Sequence, residues 1–125
     1  MIPKFRAWLP DPDVKKMLRV KALIFENDKT RCMCGYAYDF YLEDEDAILM
    51  QSTGLHDKNG KEIFEGDILA SEIYPVNGAV EYRAKLGMWV NCLKEYSYYE
   101  YLGNVASDRE IIGNIYENPE LLEVE

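Results

Sequence analysis

The chain is poor in the residues that most often carry chemistry or cross a membrane. It has one histidine and three cysteines in 125 residues. No apolar run approaches the roughly 20 residues that a transmembrane helix needs, and the run Ala22–Phe25 is far too short. The opening residues, MIPKFRAWLP, contain no signal-peptide core, and an odd number of cysteines is a poor disulfide framework. We therefore expect no membrane association and a cytoplasmic location.

Positive charge is also scarce. Fourteen lysines and arginines face 23 aspartates and glutamates, which gives a formal net charge of −9. The one basic cluster, which we interpret as the solvated side of a strand or turn, consists of Lys15, Lys16, Arg19 and Lys21. Because a phosphate backbone needs a clustered positive surface, nucleic acid is not expected as a partner. A small barrel that binds nucleic acid is kept as an alternative.

Short strand signals dominate what is present. Apolar residues make up 48% of the chain, which indicates a folded domain. A near-alternating run covers Lys4–Trp8, and a second run at Met17–Phe25 predicts one strand. The second run places four apolar residues on one face: Leu18, Val20, Ala22 and Ile24. In the segment CMCGYAYDFYL, the aromatic residues Tyr36, Tyr38 and Phe40 alternate with smaller or polar ones, which favours a pleated surface.

The segment TGLHDKNGKEIFEGDIL, from Thr53 to Leu69, holds the strongest turn signal. Asn59 and Gly60 tolerate the positive φ that a type I′ hairpin turn requires. The strand that ends near His56 should therefore pair antiparallel with one that starts near Lys61. Gly66 then relieves a tight bend or lets another backbone approach closely.

The spacing of these pieces predicts the fold class. Short strands with turn signals at about ten-residue intervals are typical of small barrels and sandwiches. We predict a mainly β protein (α+β at most) with a small antiparallel β-barrel, SH3-like, around residues 62–116. An N-terminal β portion precedes it, and a short C-terminal helix follows, capped by Asn118 and with Pro119 at its first position. The chain is a single domain, 1–125, divisible into an N-terminal β subdomain, 1–50, and a barrel-like subdomain, 51–125.

The candidate catalytic and metal-ligating residues have structural interpretations that we prefer. His56 lies next to Asp57, and Asp67 or Glu65 could come near it once the hairpin folds. Such an arrangement could form a general base, so a hydrolase centred on His56 is a second alternative. Cys32 and Cys34 would point the same way on a strand, but structural zinc usually uses two pairs with two to four residues between the ligands, and here only one residue separates them. We therefore predict buried free cysteines, a solvated loop at Glu43–Asp46, and no catalytic, cofactor-binding or metal-binding residue.

A tyrosine cluster is the main candidate for binding. Its members are Tyr96, Tyr98, Tyr99 and Tyr101. On an unbroken strand the first two share one face and the last two share the other. One face can then be core, while the other is an exposed aromatic row suited to protein contacts or to stacking of bases. The neighbouring acids Glu95 and Glu100 should repel phosphates, which favours a protein partner.

Three blocks of the sequence resemble the YopX family of phage and prophage proteins. They are KFRAW at Lys4–Trp8, LMQSTGLHDKNGKEIFEGDIL at Leu49–Leu69, and IIGNIYENPELL at Ile111–Leu122. The family usually has a charged residue where His56 stands, which weakens the case for a catalytic histidine. The resemblance implies a small, mostly β, self-associating protein encoded by bacterial viruses or their integrated remnants, and it implies no reaction.

The leading hypothesis is a non-enzymatic phage or prophage accessory protein in the bacterial cytoplasm that acts through protein contacts. It predicts a homo-oligomer that presents an acidic surface and an aromatic strip to an unidentified host or phage protein. Acidic residues without a lysine or arginine near the C-terminus support the acidic surface: Glu110, Glu117, Glu120, Glu123 and Glu125.

Overall fold

The computed structural model describes residues 3–35 and 39–123. Tyr36 and Tyr38, part of the predicted aromatic alternation, and Glu125 lie outside these ranges. The fold is mostly β, with 51% strand and 12% helix, as predicted. The chain divides into two compact units, Met1–Gln51 and Ser52–Glu125. No helix in the described ranges is long and apolar enough to cross a membrane.

The first unit is built from antiparallel strands. They are β1 (Phe5–Leu9), β2 (Lys16–Val20), β3 (Ala22–Phe25), β4 (Thr30–Met33), β5 (Asp39–Tyr41) and the first residues of β6 (Ile48–His56). β1 pairs with β2 on one side and with β6 on the other. The order β3-β4-β5 forms a separate three-stranded meander.

The prediction of one strand over Met17–Phe25 is wrong. The structure has two strands there, and they belong to different sheets because the chain bends at Lys21. The backbone N–H of Lys21 donates to the Met33 carbonyl at 2.7 Å, which starts the pairing of β3 with β4. The four residues predicted to share a face therefore do not form one buried stripe, and Ile24 is exposed.

The second unit contains the predicted barrel-like region. Its strands after β6 are β7 (Glu62–Phe64), β8 (Asp67–Ser71), β9 (Gly78–Arg83), β10 (Met88–Leu93), β11 (Tyr98–Tyr101) and β12 (Arg109–Asn114). Five of them form an antiparallel sheet in the order β11-β10-β9-β8-β12. The sheet curls into a half-barrel, which confirms the predicted barrel-like region.

One buried apolar cluster of the second unit packs against this sheet. Its buried members are Ile63, Leu69, Val80, Leu102 and Ala106. The short helix α1 (Leu102–Val105) supplies Leu102 and packs against β10. Each fully buried aliphatic side chain contributes about 1.5–3 kcal/mol, so these residues fix the half-barrel that carries the site below.

The hairpin after β6 forms as predicted, but its turn is of another type. His56 pairs with Glu62 across the turn. Gly60 has a φ of +82°, whereas Asn59 does not have the positive φ that type I′ needs. The N–H of Gly60 donates to the Asp57 carbonyl at 3.0 Å, and that of Asp57 donates to the Lys61 carbonyl at 2.8 Å. These bonds define a type I turn followed by a glycine bulge.

The C-terminal helix is a single 3₁₀ turn, Pro119–Leu122. Pro119 stands at its start, as predicted, but the Asn118 side chain does not cap the turn. Its oxygen instead accepts the backbone N–H of Asn114 at 3.2 Å. A residue outside the turn stabilises it: Asn77 Nδ2 donates a hydrogen bond to the Leu121 carbonyl at 2.8 Å.

Candidate interaction site

A cleft of about 630 Å³ lies beside β11, the last strand of the five-stranded sheet. Aromatic side chains and one ion pair dominate its wall. The lining residues are Tyr74, Ser97, Tyr98, Tyr99, Glu100, Tyr101, Asn104, Val105 and Arg109. The cleft is thus bounded by β11, by α1 and by the first residue of β12.

Two of these residues connect the two edge strands of the sheet. Glu100 lies on β11 and Arg109 on β12, and these strands are the outermost of the five. Arg109 donates two hydrogen bonds to the Glu100 carboxylate, from Nε at 2.9 Å and from Nη2 at 2.8 Å. Both side chains are buried. The paired geometry is the strong form of this interaction, and it links β11 to β12, which are not neighbours in the sheet.

The surroundings of the ion pair keep Glu100 charged. Burial would raise the pKa of Glu100, but hydrogen bonds from Arg109 and from Asn91 Nδ2 outweigh it, so the pKa lies below its usual value. The bond with Glu100 raises the pKa of Arg109. The Tyr74 ring lies 5.9 Å from the guanidinium carbon of Arg109. Glu100 is therefore a neutralised buried group, and the prediction that it would repel a phosphate at the surface is wrong.

The four predicted tyrosines lie close together in the chain but not on one strand. Tyr98 and Tyr101 are 50% and 40% exposed on β11, and Tyr99 is half-buried. Tyr96, 46% exposed, belongs to the 3₁₀ turn Lys94–Tyr96. Ser97 ends that turn with a φ of +51°. The predicted pairing of Tyr96 with Tyr98 on one strand face is therefore wrong, because the strand starts only at Tyr98.

The rings form two edge-to-face pairs. Tyr99 and Tyr101 have ring centroids 6.1 Å apart, and Tyr74 and Tyr96 have centroids 6.3 Å apart. Arg83 lies over the Tyr99 ring at 5.2 Å. Such contacts hold the rings in place at low cost in conformational freedom, and exposed tyrosines offer both a large apolar surface and a hydroxyl.

Two residues of the site were missed from the sequence. Tyr74 is far from the tyrosine cluster, in the loop after β8, and reaches it only through the fold. Arg109, the first residue of β12, is not among the residues that the sequence singled out. The sequence did contain one indication of its role: Arg109 is the sole basic residue in the acidic stretch after Lys94. A single cation among acids is a candidate for a buried pair.

The carboxylates near His56 are occupied by backbone groups. Asp57 is buried, and its two oxygens accept the N–H groups of Asn59, Lys61 and Ile111 at 2.9, 2.9 and 3.0 Å. Burial would raise the pKa of Asp57, but these three bonds outweigh it and lower the pKa. Since the imidazole of His56 is exposed, Asp57 holds the hairpin loop against β12 and does not orient the histidine.

Asp67 has a similar position to Asp57, at the bend that follows Gly66. It is buried, and its carboxylate accepts the N–H of Phe64 at 2.8 Å. The backbone of Gly66 has a φ of +87° and accepts the N–H of Ile115 at 2.9 Å. The positive φ confirms the tight bend predicted for Gly66.

The Cys32–Cys34 pair is a pair of free thiols with Sγ atoms 3.9 Å apart. Cys32 is buried, as predicted, and Cys34 is half-buried. Burial raises the pKa of Cys32 to about 12 and also raises that of Cys34. Thiolates are the form that binds metals, and no group of three or more potential ligands occurs within residues 3–35 and 39–123.

The acidic block Glu43–Asp46 is a solvated turn, as predicted. Glu43 accepts the backbone N–H of Thr30 at 2.7 Å, which lowers its pKa. Asp44 pairs with Lys29 at 2.8 Å across the surface. The block therefore organises a loop of the first unit.

Comparisons with known proteins place the chain among β-rich proteins of similar length. A family model described as YopX protein matches residues 4–123. The crystal structure of protein EF1440 from Enterococcus faecalis is similar, with a TM-score of 0.62 and 30% identity over 98% of this chain and 99% of that one. The structure of yopX from Bacillus subtilis has a TM-score of 0.62 and 21% identity over 96% and 98% of the two chains. No curated protein matches the chain.

Proposed function

Starting from the finding that the chain belongs to the YopX family, we propose that it acts through protein contacts and not by catalysis. In this proposal it is a phage or prophage accessory protein in the cytoplasm of a bacterial host. It associates with itself and also binds a further host or phage protein. The family resemblance supports the phage origin, and the cleft beside β11 supports the binding role.

The observation that carries the proposal is the exposed tyrosine surface beside an open strand edge. This surface consists of Tyr96, Tyr98 and Tyr101. β11 has a neighbouring strand, β10, on one side only. An extended segment of another protein can add to such an edge by backbone hydrogen bonds, and pockets for its side chains then give specificity. The cleft and its tyrosines provide such pockets.

The charge of the second unit indicates what kind of protein would bind. Residues 52–125 contain fourteen acidic and six basic side chains, a formal charge of −8. The exposed acids Glu72 and Glu95 lie just before Tyr74 and Tyr96 in the chain. Because Glu100 is neutralised by Arg109, the charge that a partner meets comes from exposed acids of this unit. A basic segment complements that charge.

The binding role is tested by capture from an extract of a bacterial host on the immobilised full chain. We expect that Tyr98→Ala combined with Tyr101→Ala abolishes capture of the specific partner, because both rings are removed from the surface. Tyr82→Ala is the matched control: Tyr82 is 48% exposed on β9 and does not line the cleft. If all three proteins capture the same set, the tyrosine surface has no binding role.

Self-association is tested separately, by light scattering of the purified chain over a range of concentrations. A mass that rises from one copy towards two supports the proposal. A strict monomer at millimolar concentration removes self-association from it and leaves the binding of a different protein to be judged by the capture experiment.

A nucleic-acid-binding barrel is the second candidate, favoured by one observation. Arg83 lies over the Tyr99 ring at 5.2 Å, and aromatic rings together with arginine can bind unpaired bases. Labelled single and double strands titrated at low salt test it, because charge attraction is greatest there. Binding lost in Tyr98→Ala would favour this candidate, and no binding at low salt would end it. The His56 hydrolase has no comparable support, since Asp57 serves the backbone.

A further inference from the structure

The strand β3 differs from the other edge strands that the structure describes. Exposed edges offer unpaired backbone groups to other chains, and proteins protect them with charged residues, proline or bulges. Four of the other edge strands carry charge that is at least partly exposed, from Lys16 and Arg19 in β2, Asp39 in β5, Glu62 in β7 and Glu110 in β12, whereas the one charged residue of β11, Glu100, is buried and paired with Arg109. β3 reads Ala-Leu-Ile-Phe and has no such protection.

The side chains of β3 are also exposed apolar groups. Phe25 is 80% exposed, the highest value among the large apolar residues described, and Ile24 is 40% exposed. Among the described strands β3 pairs only with β4, so its other edge faces away from the meander. An uncharged apolar edge of this kind is a surface for strand pairing.

The distribution of charge indicates which chain would pair there. Residues 1–51 contain nine acidic and eight basic side chains, a formal charge of −1, compared with −8 in the second unit. A second copy brings the same charge as the first, so repulsion between copies is small at the first unit and large at the second. A self-contact therefore belongs on the first unit.

We propose that a second copy of the chain docks on β3, so that two β3 strands pair antiparallel about a twofold axis and join two meanders into one six-stranded sheet. The inference rests on the proposed self-association and names its surface. In a twofold pair centred between Leu23 and Ile24, Phe25 of one copy lies opposite Ala22 of the other. The same register sets Lys21 opposite Glu26, a pair of opposite charges.

The predicted interface is small. Two four-residue strands bury less than a standard interface, so the dimer depends on concentration and dissociates on dilution. The apolar contact of Phe25 and the two Lys21–Glu26 pairs at the ends of the strands give the contact its register.

The experiment is light scattering of the full chain with charged substitutions on the edge. We expect that Ile24→Lys with Phe25→Lys raises the dimer dissociation constant at least about tenfold, because each copy brings like charges to the axis. Ile73→Lys is the matched control, since Ile73 is 74% exposed in the second unit, and it should change the constant less than about twofold. Circular dichroism checks that all variants are folded.

Charge reversal tests the register. Lys21→Glu alone should weaken the dimer, because the new glutamate would lie opposite Glu26 of the other copy and repel it. Adding Glu26→Lys should restore the dimer, because the charges are then opposite again. Glu26 also pairs with Arg31 within the chain, but that pair is exposed and costs little to lose. Loss of the dimer in both variants would overturn the proposed register.

Hydrogen exchange gives a second readout that does not depend on substitutions. The amides of β3 should exchange more slowly at high protein concentration, and those of β11 should not change. A wild-type chain that stays monomeric overturns both the self-association and this inference. A wild-type dimer that survives the Ile24 and Phe25 substitutions, with no protection in β3, overturns this inference alone.

Discussion

The two units of the chain use polar side chains in opposite ways. Every polar or charged side chain buried in the described residues belongs to the second unit: Ser52, Thr53, Asp57, Asp67, Asn91, Glu100, Arg109 and Asn114. In the first unit the ion pairs Lys29–Asp44 and Arg31–Glu26 are exposed. The second unit thus depends on buried polar groups, whereas the first depends on strand ladders and apolar contacts.

The difference follows from how the strands and loops of each unit are connected. The meander and the β1 pairings of the first unit join strands by backbone hydrogen bonds. In the second unit, buried carboxylates serve three places where strands are not joined by a backbone ladder: Asp57 at the hairpin loop, Asp67 at the bend and Glu100 between β11 and β12. A buried carboxylate that accepts several N–H groups replaces the missing ladder bonds.

The largest predicted effect comes from breaking the Glu100–Arg109 pair. Arg109→Met leaves the Glu100 carboxylate buried without its cation, which should destabilise the second unit by about 3–5 kcal/mol in denaturant unfolding. Adding Glu100→Gln removes the unpaired charge and keeps an acceptor for Asn91, so most of the loss should be recovered. Arg83→Met, in an exposed pair of the same sheet, is the control. A double variant as unstable as the single one would contradict the explanation.

The next effect is the loss of the Asp57 acceptor. Asp57→Ala leaves three backbone N–H groups without their partner, and water can reach only two of them, at the exposed residues Asn59 and Lys61. We expect a loss of about 2–4 kcal/mol in the unfolding of the second unit. Asp28→Ala, in an exposed turn of the first unit, should leave the unfolding midpoint unchanged. Equal effects of the two substitutions would remove the distinction between the units.

These residues also show how much of the structure the sequence could predict. The hairpin register was predictable because Asn59-Gly60 and the alternating flanks are local signals. The turn type was not, because Asp57 accepts an N–H from Ile111, 54 residues away. Likewise the tyrosine cluster could be recognised in the sequence. The Glu100–Arg109 pair could not, because it depends on which two strands become the edges of the sheet. The split at Lys21 was missed because an uninterrupted run of β-forming residues gives no local sign of a change of sheet.

The response to acid should also separate the units. The folded-state pKa values of Glu100 and Asp57 lie below their ordinary values of 4.5 and 3.8. Their stabilisation is therefore complete above the unfolded-state values and is lost as the pH falls through the lower folded-state values. We expect the second unit to unfold first on acid titration, and Glu100→Gln to reduce the pH dependence. Simultaneous unfolding of both units, with no change in the variant, would contradict this.

The smallest predicted effect is in the first unit, where replacing an exposed arginine by methionine should hardly change the stability. Arg31 donates to the Tyr41 hydroxyl at 3.2 Å and pairs with Glu26 at 2.8 Å, and its side chain is 42% exposed. Water can replace each of these bonds, because neither charge is enclosed. Arg31→Met should therefore leave the midpoint of denaturant unfolding within experimental error. If Arg31→Met destabilised the protein as much as Arg109→Met, burial of an ion pair would not determine how much that pair stabilises its unit.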